Sequence, residues 1–313
     1  MSGGVSEAAQ KRWFRPVTGA DVERDGHRFS WMKPDGWRSG FRALVLEIEG
    51  AAGDRCVIGV GRIGPNTVHP TRDLVELEID AAHRRRGHGT ALLRELGTYS
   101  ANPLSSKVEL GSEREAFLRS LGAVTYLRVP LLRVDVAAER TVRWCAAVRA
   151  EVPHAEVRRW SELPREQVID ALTDCYAWQH ASWSPTAPRD VLRREVGDEF
   201  WDGAIREHSW AVRRDGAITA LADLYDDPVG PGREGALEAV DAAMPHARAD
   251  VALALAALLD DLREQGVAHL DLDNHPTDPH TAPLLATLRA DEVDPVDLVE
   301  IPNGLTARLR ELP

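Results

Sequence analysis

The chain has 313 residues, room for two ordinary domains, and its 43% hydrophobic and 28% charged residues are the balance of a soluble globular protein. A formal charge of −12 argues against a broad nucleic-acid footprint, and an acidic surface suits solubility or a cationic amine substrate. Cys56, Cys145 and Cys175 fall in neither disulfide nor metal spacing. The N-terminus lacks the apolar core of a signal peptide, and the greasiest stretch, 251–259, is too short to span a bilayer. These features predict a reduced, cytoplasmic protein with no membrane partner.

Residues 42–49 (RALVLEIE) alternate as a strand does, 51–54 reads as a hairpin turn, and 56–62 (CVIGVGR) is the partner strand. Residues 73–80 (DLVELEID) form a further strand. Residues 89–100 (GTALLRELGTYS) carry Leu92, Leu93 and Leu96 on one helical face. A short strand at 107–110, a helix at 113–121, and either two strands or one long bent strand at 124–136 complete an α/β order. Residues 139–151 read as a helical connector. The order then returns: strand 155–160, helix 165–182, a hairpin of 210–214 with 218–225, strand 237–240, helix 250–265 and strand 268–273. A shift of 161 residues lays Asp80-Ala81-Ala82 on Asp241-Ala242-Ala243 and Ala91-Leu92 on Ala252-Leu253, each where a strand hands over to a helix. The chain therefore reads as a tandem duplication, with halves at 1–137 and 138–313.

The strongest local signal is the segment from Ile79 to Leu93, where a strand ends and a loop carrying Gly87 and Gly89 opens a helix. Glycine lets the backbone turn tightly and approach a ligand, and successive N–H groups at the positive end of a helix dipole cradle an anion. The arginines at 84, 85 and 86 add positive charge, so a phosphate or pyrophosphate is the expected ligand. No Lys-Ser/Thr follows the glycines, which excludes a P-loop, and the Rossmann G-x-G-x-x-G order is absent.

The six residues Arg84-Arg85-Arg86-Gly87-His88-Gly89 resemble the R/Q-x-x-G-x-G/A signature of the GNAT superfamily of N-acyltransferases. The Thr90-Ala91-Leu92-Leu93 helix and the later Phe117-Leu118-Arg119-Ser120-Leu121-Gly122-Ala123, similar to the family's F-Y-x-x-x-G-F ending, extend the likeness. It covers 42–136 well and the second half only as architecture. The resemblance implies two tandem GNAT-like domains, each a mixed twisted sheet flanked by helices, the first catalytic and the second degenerate. It implies acyl-CoA, acetyl-CoA by preference, as co-substrate. The pyrophosphate would lie on Arg84, Arg85, Arg86, Gly87, His88, Gly89 and Thr90, and pantetheine along the main chain of Leu77, Glu78 and Ile79.

Acyl transfer to an amine needs a base for the ammonium and a proton for the departing thiolate. Strand 73–80 offers Asp73, Glu76 and Glu78. By resemblance Glu76 and then Asp73 are the base candidates, with alternation placing Glu76 and Glu78 on one face unless a bulge intervenes. The tyrosine usual in the family after the helix phenylalanine is Leu118 here, which leaves Tyr126 as the nearest acid candidate and Tyr99 on the preceding helix. His83 and His88 bracket the loop and read as solvent-facing. Asp271, Asp273, His275, Asp278 and His280 read as a polar loop, so no metal is expected.

In the second half, residues 244–250 replace the glycine loop, and Asp250 would set a carboxylate against any phosphate. That half is expected to buttress the first and shape the acceptor cleft, where Tyr176, Trp178, Trp183, Trp201 and Trp210 cluster. The stretch holding Trp13, Phe14, Trp31 and Trp37 is too short for the family's usual opening helices. The function this predicts is N-acetylation of a small-molecule primary amine, such as an antibiotic or natural-product intermediate, by a monomer or homodimer. The alternatives are transfer to a protein or peptide amine, and a non-catalytic binding protein on the same fold.

Overall fold

The computed structural model describes residues 11–302 apart from 30, 51–52, 153–154, 230–231, 242 and 274, and only the backbone of 226–229. β1 (Arg12–Pro16) leads to α1 (Gly19–Asp25), a short helix started by a Thr18–Asp21 capping box. An antiparallel meander follows: β2 (Arg42–Glu49), β3 (Arg55–Pro65) and β4 (Asp73–Ile79). α2 (His88–Gly97) crosses over to β5 (Leu104–Glu109), which runs parallel to β4. Then come α3 (Glu113–Ser120), β6 (Val124–Asp135) and the connector α4 (Glu139–Glu151). β6 is one unbroken strand, which decides between the two readings of 124–136.

The second half opens with β7 (Glu156–Arg159), α5 (Arg165–Ala181), α6 (Arg189–Leu192) and α7 (Asp198–Gly203). β8 (Trp210–Arg214), β9 (Ala217–Val229) and β10 (Gly232–Ala239) form its meander. α8 (Ala247–Glu264) crosses to β11 (His269–Asp273), again parallel to the strand before the helix. α9 (Thr281–Leu288) and β12 (Asp291–Ile301) end the described chain. The duplicated order is thus present: β2-β3-β4-α2-β5 and β8-β9-β10-α8-β11.

Among the described residues all twelve strands join one mixed sheet, in the order β1-β2-β3-β4-β5-β12-β6-β11-β10-β9-β8-β7. The two middle places are exchanged. β6, from the first half, pairs with β11, while β12, from the end of the chain, pairs with β5. Val299 and Ile301 of β12 are fully buried among Leu92, Leu96 and Leu104, so the first-half core is completed by residues from the far end of the sequence. Each such aliphatic side chain contributes about 1.5–3 kcal/mol when buried. Asp297 of β12, also fully buried, accepts from Arg119, Thr125 and Arg128 and so clasps α3 and β6 to the inserted strand.

α2 lays Leu92, Leu93 and Leu96 on Ile63, Val75 and Ile79. The opposite face of the same sheet is covered by Val17, Phe29 and Met32, packed on Ala43, Val45, Val57 and Val60. In the second half, α8 is buried along nearly its whole length, sandwiched between the sheet and α4, which accounts for the apolar run at 251–259. Among the described residues no helix is long and apolar enough to cross a membrane.

Candidate functional site

β4 and β5 pair only at Asp73–Leu104 and Leu74–Ser105, then part. Beyond that fork, β5 stays bonded to β12 on its other side, so an opening runs along β4 from Val75 to Ile79. Which groups face it follows from alternation. The Asp80 N–H donates to Ile58 O on β3, so the main chain of Leu77 and Ile79 points away from β3, into the opening, while that of Glu78 points toward β3. The Ile79 carbonyl there accepts from Arg84 Nε at 2.9 Å.

The loop that follows lies at the wide end of the fork. The Asp80 carboxylate accepts from Ala82 N and pairs with Arg28, fixing a single turn over Ala81–His83. Arg85 sits at φ +64 and Gly87 at φ +75, both left-handed, and that double reversal turns the chain directly into α2. No side chain caps α2. The first intrahelical bond is Ala91 N to Gly87 O, which leaves the N–H groups of the preceding turn for a ligand or water. Gly89 is needed for closeness: a Cβ there would come within 3.2–3.3 Å of the Phe117 ring of α3.

Arg12, at the start of β1, ties the loop down. Its Nη2 donates to Arg86 O and its Nε to His88 Nδ1, both at 3.1 Å. His88 is 2% exposed, against the expectation that it faces solvent, because the first turn of α2 carries it inward. Burial, with Arg12 beside it, holds the imidazole below its ordinary value, so it is neutral and its proton lies on Nε2, which has no partner. Arg84 pairs with Glu113 at 2.5 Å. Arg85 and Arg86 are exposed and have no carboxylate partner among the described residues.

The candidate catalytic residues are dispersed. The β3–β4 register runs without a shift, so no bulge interrupts β4 and Glu76 and Glu78 share the face opposite α2. Glu76 accepts from Arg62 Nε at 2.6 Å, and the Arg62 guanidinium lies 5.2 Å from the ring of Trp31 and 5.7 Å from that of Trp37. Asp73 accepts from Ser100 Oγ and Asn102 Nδ2, holding the turn after α2. Tyr126 reaches from β6 to Ser105 Oγ at 2.8 Å, beside the fork, with Arg72 over its ring and Trp183 stacked on it. Burial pushes its phenol up from the ordinary value. Leu118 lies in the core and offers no proton.

With this geometry in hand, the likeness to solved structures is informative. A tandem GNAT protein from the clavulanic acid biosynthesis pathway superposes with a TM-score of 0.59 at 17% identity, covering 93% of this chain and 99% of that one. A GCN5-related N-acetyltransferase from Sphaerobacter thermophilus gives 0.58 at 11% identity, covering 93% and 96%. One from Kribbella flavida gives 0.54 at 14%, covering 95% and 72%. The fold is that of tandem GNAT proteins. No family model matches the chain, and no curated relative matches it.

Arg12, which holds the loop, and Arg62, which holds Glu76, are contacts that sequence reading missed. Arg12 precedes every predicted element, and Arg62 is marked only by its cross-strand register with Glu76. The second-half loop needs a correction. Asp250 is not aimed at a phosphate: it lies in the first turn of α8, fully buried, and pairs with Arg214 and Thr219. Asp271 pairs with Arg133, and Asp278 accepts from Gln179, so two of the five acidic and imidazole residues at 271–280 are structural.

Proposed function

We propose that the chain is an N-acyltransferase that moves an acyl group from acyl-CoA, acetyl-CoA by preference, to a primary amine of a small molecule. The uncapped start of α2 at the mouth of the β4–β5 fork carries this reading. A doubly charged pyrophosphate matches the free N–H groups after Gly87 and the two exposed, unpaired guanidiniums of Arg85 and Arg86. The main chain of Leu77 and Ile79 then borders pantetheine, which enters the opening as a short extra strand. Solved neighbours described as N-acetyltransferases support the chemistry by analogy of fold.

In the reaction, the amine nitrogen attacks the thioester carbonyl, a C–N bond forms, the C–S bond breaks, and the thiolate leaves. Glu76, lying with Glu78 on the face opposite α2, takes the proton that the amine gives up, directly or through water. Arg62 orients that carboxylate. Tyr126, kept protonated by burial at the fork, returns a proton to the thiolate. Most of the acceleration comes from holding amine and thioester in attack geometry.

The test is calorimetric titration with acetyl-, propionyl- and succinyl-CoA, followed by thiol release from the preferred donor across a panel of amines. Binding of one donor with amine-dependent thiol release supports the reading. No binding of any donor sinks it.

A further inference from the structure

The second half contains a cavity separate from the α2 loop, between α5 and the sheet at β9–β11, with a volume of about 190 Å³. Cavities of about 150 Å³ take benzene, so this one has room for a somewhat larger organic molecule. The rings of Tyr176, Phe200 and Tyr225 form its walls, and Glu238 and Asp273 are its acids.

Most buried carboxylates of the molecule hold an arginine, although the nearby Asp278 is satisfied instead by Gln179 and main-chain N–H groups. Asp21, Asp250, Asp271 and Asp297 each hold an arginine. Among the described residues, neither Glu238, Asp273 nor the adjacent Asp223 pairs with any arginine or lysine. Glu238 is 5% exposed; the Cys175 thiol bonds to its side chain, yet Oε2 has no partner. Asp223, on β9, is fully buried with both oxygens unpartnered. His180 and His275, also on the lining, bring no compensating charge, because burial pushes both imidazoles down, His180 to about 2. Burial pushes the Glu238 and Asp223 carboxyls up, toward their protonated forms, and a positive charge placed beside them would favour the charged forms again.

The missing partner is a cation. Among the described residues no three His, Cys, Asp or Glu groups converge to hold a metal ion, and the aromatic walls favour an organic ammonium, which gains from ring faces as well as carboxylates. We propose that this cavity is a second ligand site, one that takes a small organic ammonium ion on Glu238 and Asp273 with its carbon skeleton against Tyr176, Phe200 and Tyr225. His180 and His275 on its lining lie against Trp183, which stacks on Tyr126, so the cavity neighbours the β6 side of the fork rather than the α2 loop. The proposal is tested separately from the acyl-transfer reading, and it gives the half expected to buttress the first and shape the acceptor cleft a binding role of its own.

The experiment uses the full chain and four probes: benzylamine, cyclohexylamine and choline as cations, and benzyl alcohol as the neutral control. Wild type is expected to bind at least one cation by calorimetry and to ignore benzyl alcohol. Glu238→Gln is expected to weaken that cation about tenfold or more while melting, ligand-free, no lower than wild type, since burial favours the protonated acid at Glu238 and glutamine is likewise uncharged. Acetyl-CoA titration of both proteins, read separately, should not differ. Should Glu238→Gln fail to fold, Asp273→Asn serves in its place with the same expectation. Binding of none of the three cations, equal binding of benzyl alcohol, or unchanged affinity in the folded variant overturns the proposal.

Discussion

Gly87→Asp separates the stability of the α2 loop from its ligand affinity. Gly87 is the residue before α2, at φ +75, where a side chain is strained, though aspartate is among the residues that visit this region. There is room for the side chain: an added Cβ would come no nearer than 3.5 Å to Arg12 Nη2. The strain costs on the order of 1 kcal/mol, and a carboxylate capping an uncapped helix gains about 1 kcal/mol, so urea unfolding should change little. Affinity should change a great deal. The new carboxylate occupies the N–H groups the pyrophosphate would use, and losing two charge-assisted hydrogen bonds at roughly 1.5–3 kcal/mol each weakens acetyl-CoA by roughly a hundredfold to ten-thousandfold. Calorimetry measures this, with S-acetylpantetheine, which lacks the pyrophosphate, as an internal control whose affinity should be equal in the two proteins. A folded variant that binds acetyl-CoA within a few-fold of wild type refutes the placement of the pyrophosphate.

Other outcomes follow from the packing. Burial raises Asp223 from 3.8 to about 7, which favours its protonated form in the fold, so its contribution is present at low pH and is lost as pH rises through 7. Ligand-free wild type should lose roughly 2–3 kcal/mol from this group between pH 5 and 8, and Asp223→Asn should flatten the slope; parallel urea-stability profiles would contradict it. Gly89→Val should displace the Phe117 ring, lowering both the melting temperature and acyl-CoA affinity, and adding Phe117→Ala should recover part of each loss; strictly additive effects would show that the two do not touch. Asp297→Ala should cost roughly 1–3 kcal/mol in thermal unfolding, because Arg119, Thr125 and Arg128 lose their shared acceptor, whereas an unchanged melting temperature would mean the clasp is idle. A chain ended after Leu288 should lose acetyl-CoA binding although the proposed pyrophosphate and pantetheine contacts end at Thr90, and retained binding would show that β12 is dispensable to the first half.

The elements legible in the sequence were those with a strong apolar pattern of their own. β2, buried on both faces, is a short aliphatic run, and α2 shows Leu92, Leu93 and Leu96 at helical spacing because one face meets the sheet. The loop between β4 and α2 was readable because its glycines answer a geometric need at one place in the chain. β12 was not readable, since Asp291–Ile301 mixes acids and a proline with valines, and its burial comes from β5 and β6, far away in sequence. β1 and α1 were missed among Trp, Gly and Arg residues whose partners lie on β2 and β3. The buried carboxylates at Asp223 and Glu238 look in sequence like any acid in a strand. Only their unpartnered oxygens among the described residues set them apart.

The exchange of β6 and β12 also bears on how the molecule is made. β5 is complete at Glu109, but the strand that covers its edge begins at Asp291, so during synthesis the first half waits, with an open sheet edge and an unfinished core, until Asp291–Ile301 has been made. Such an edge invites pairing with another chain. Two nascent copies that trade β12 would satisfy every strand bond seen here, yielding an interlocked dimer, and neither half can be lifted out as a free-standing module without taking a strand from its twin.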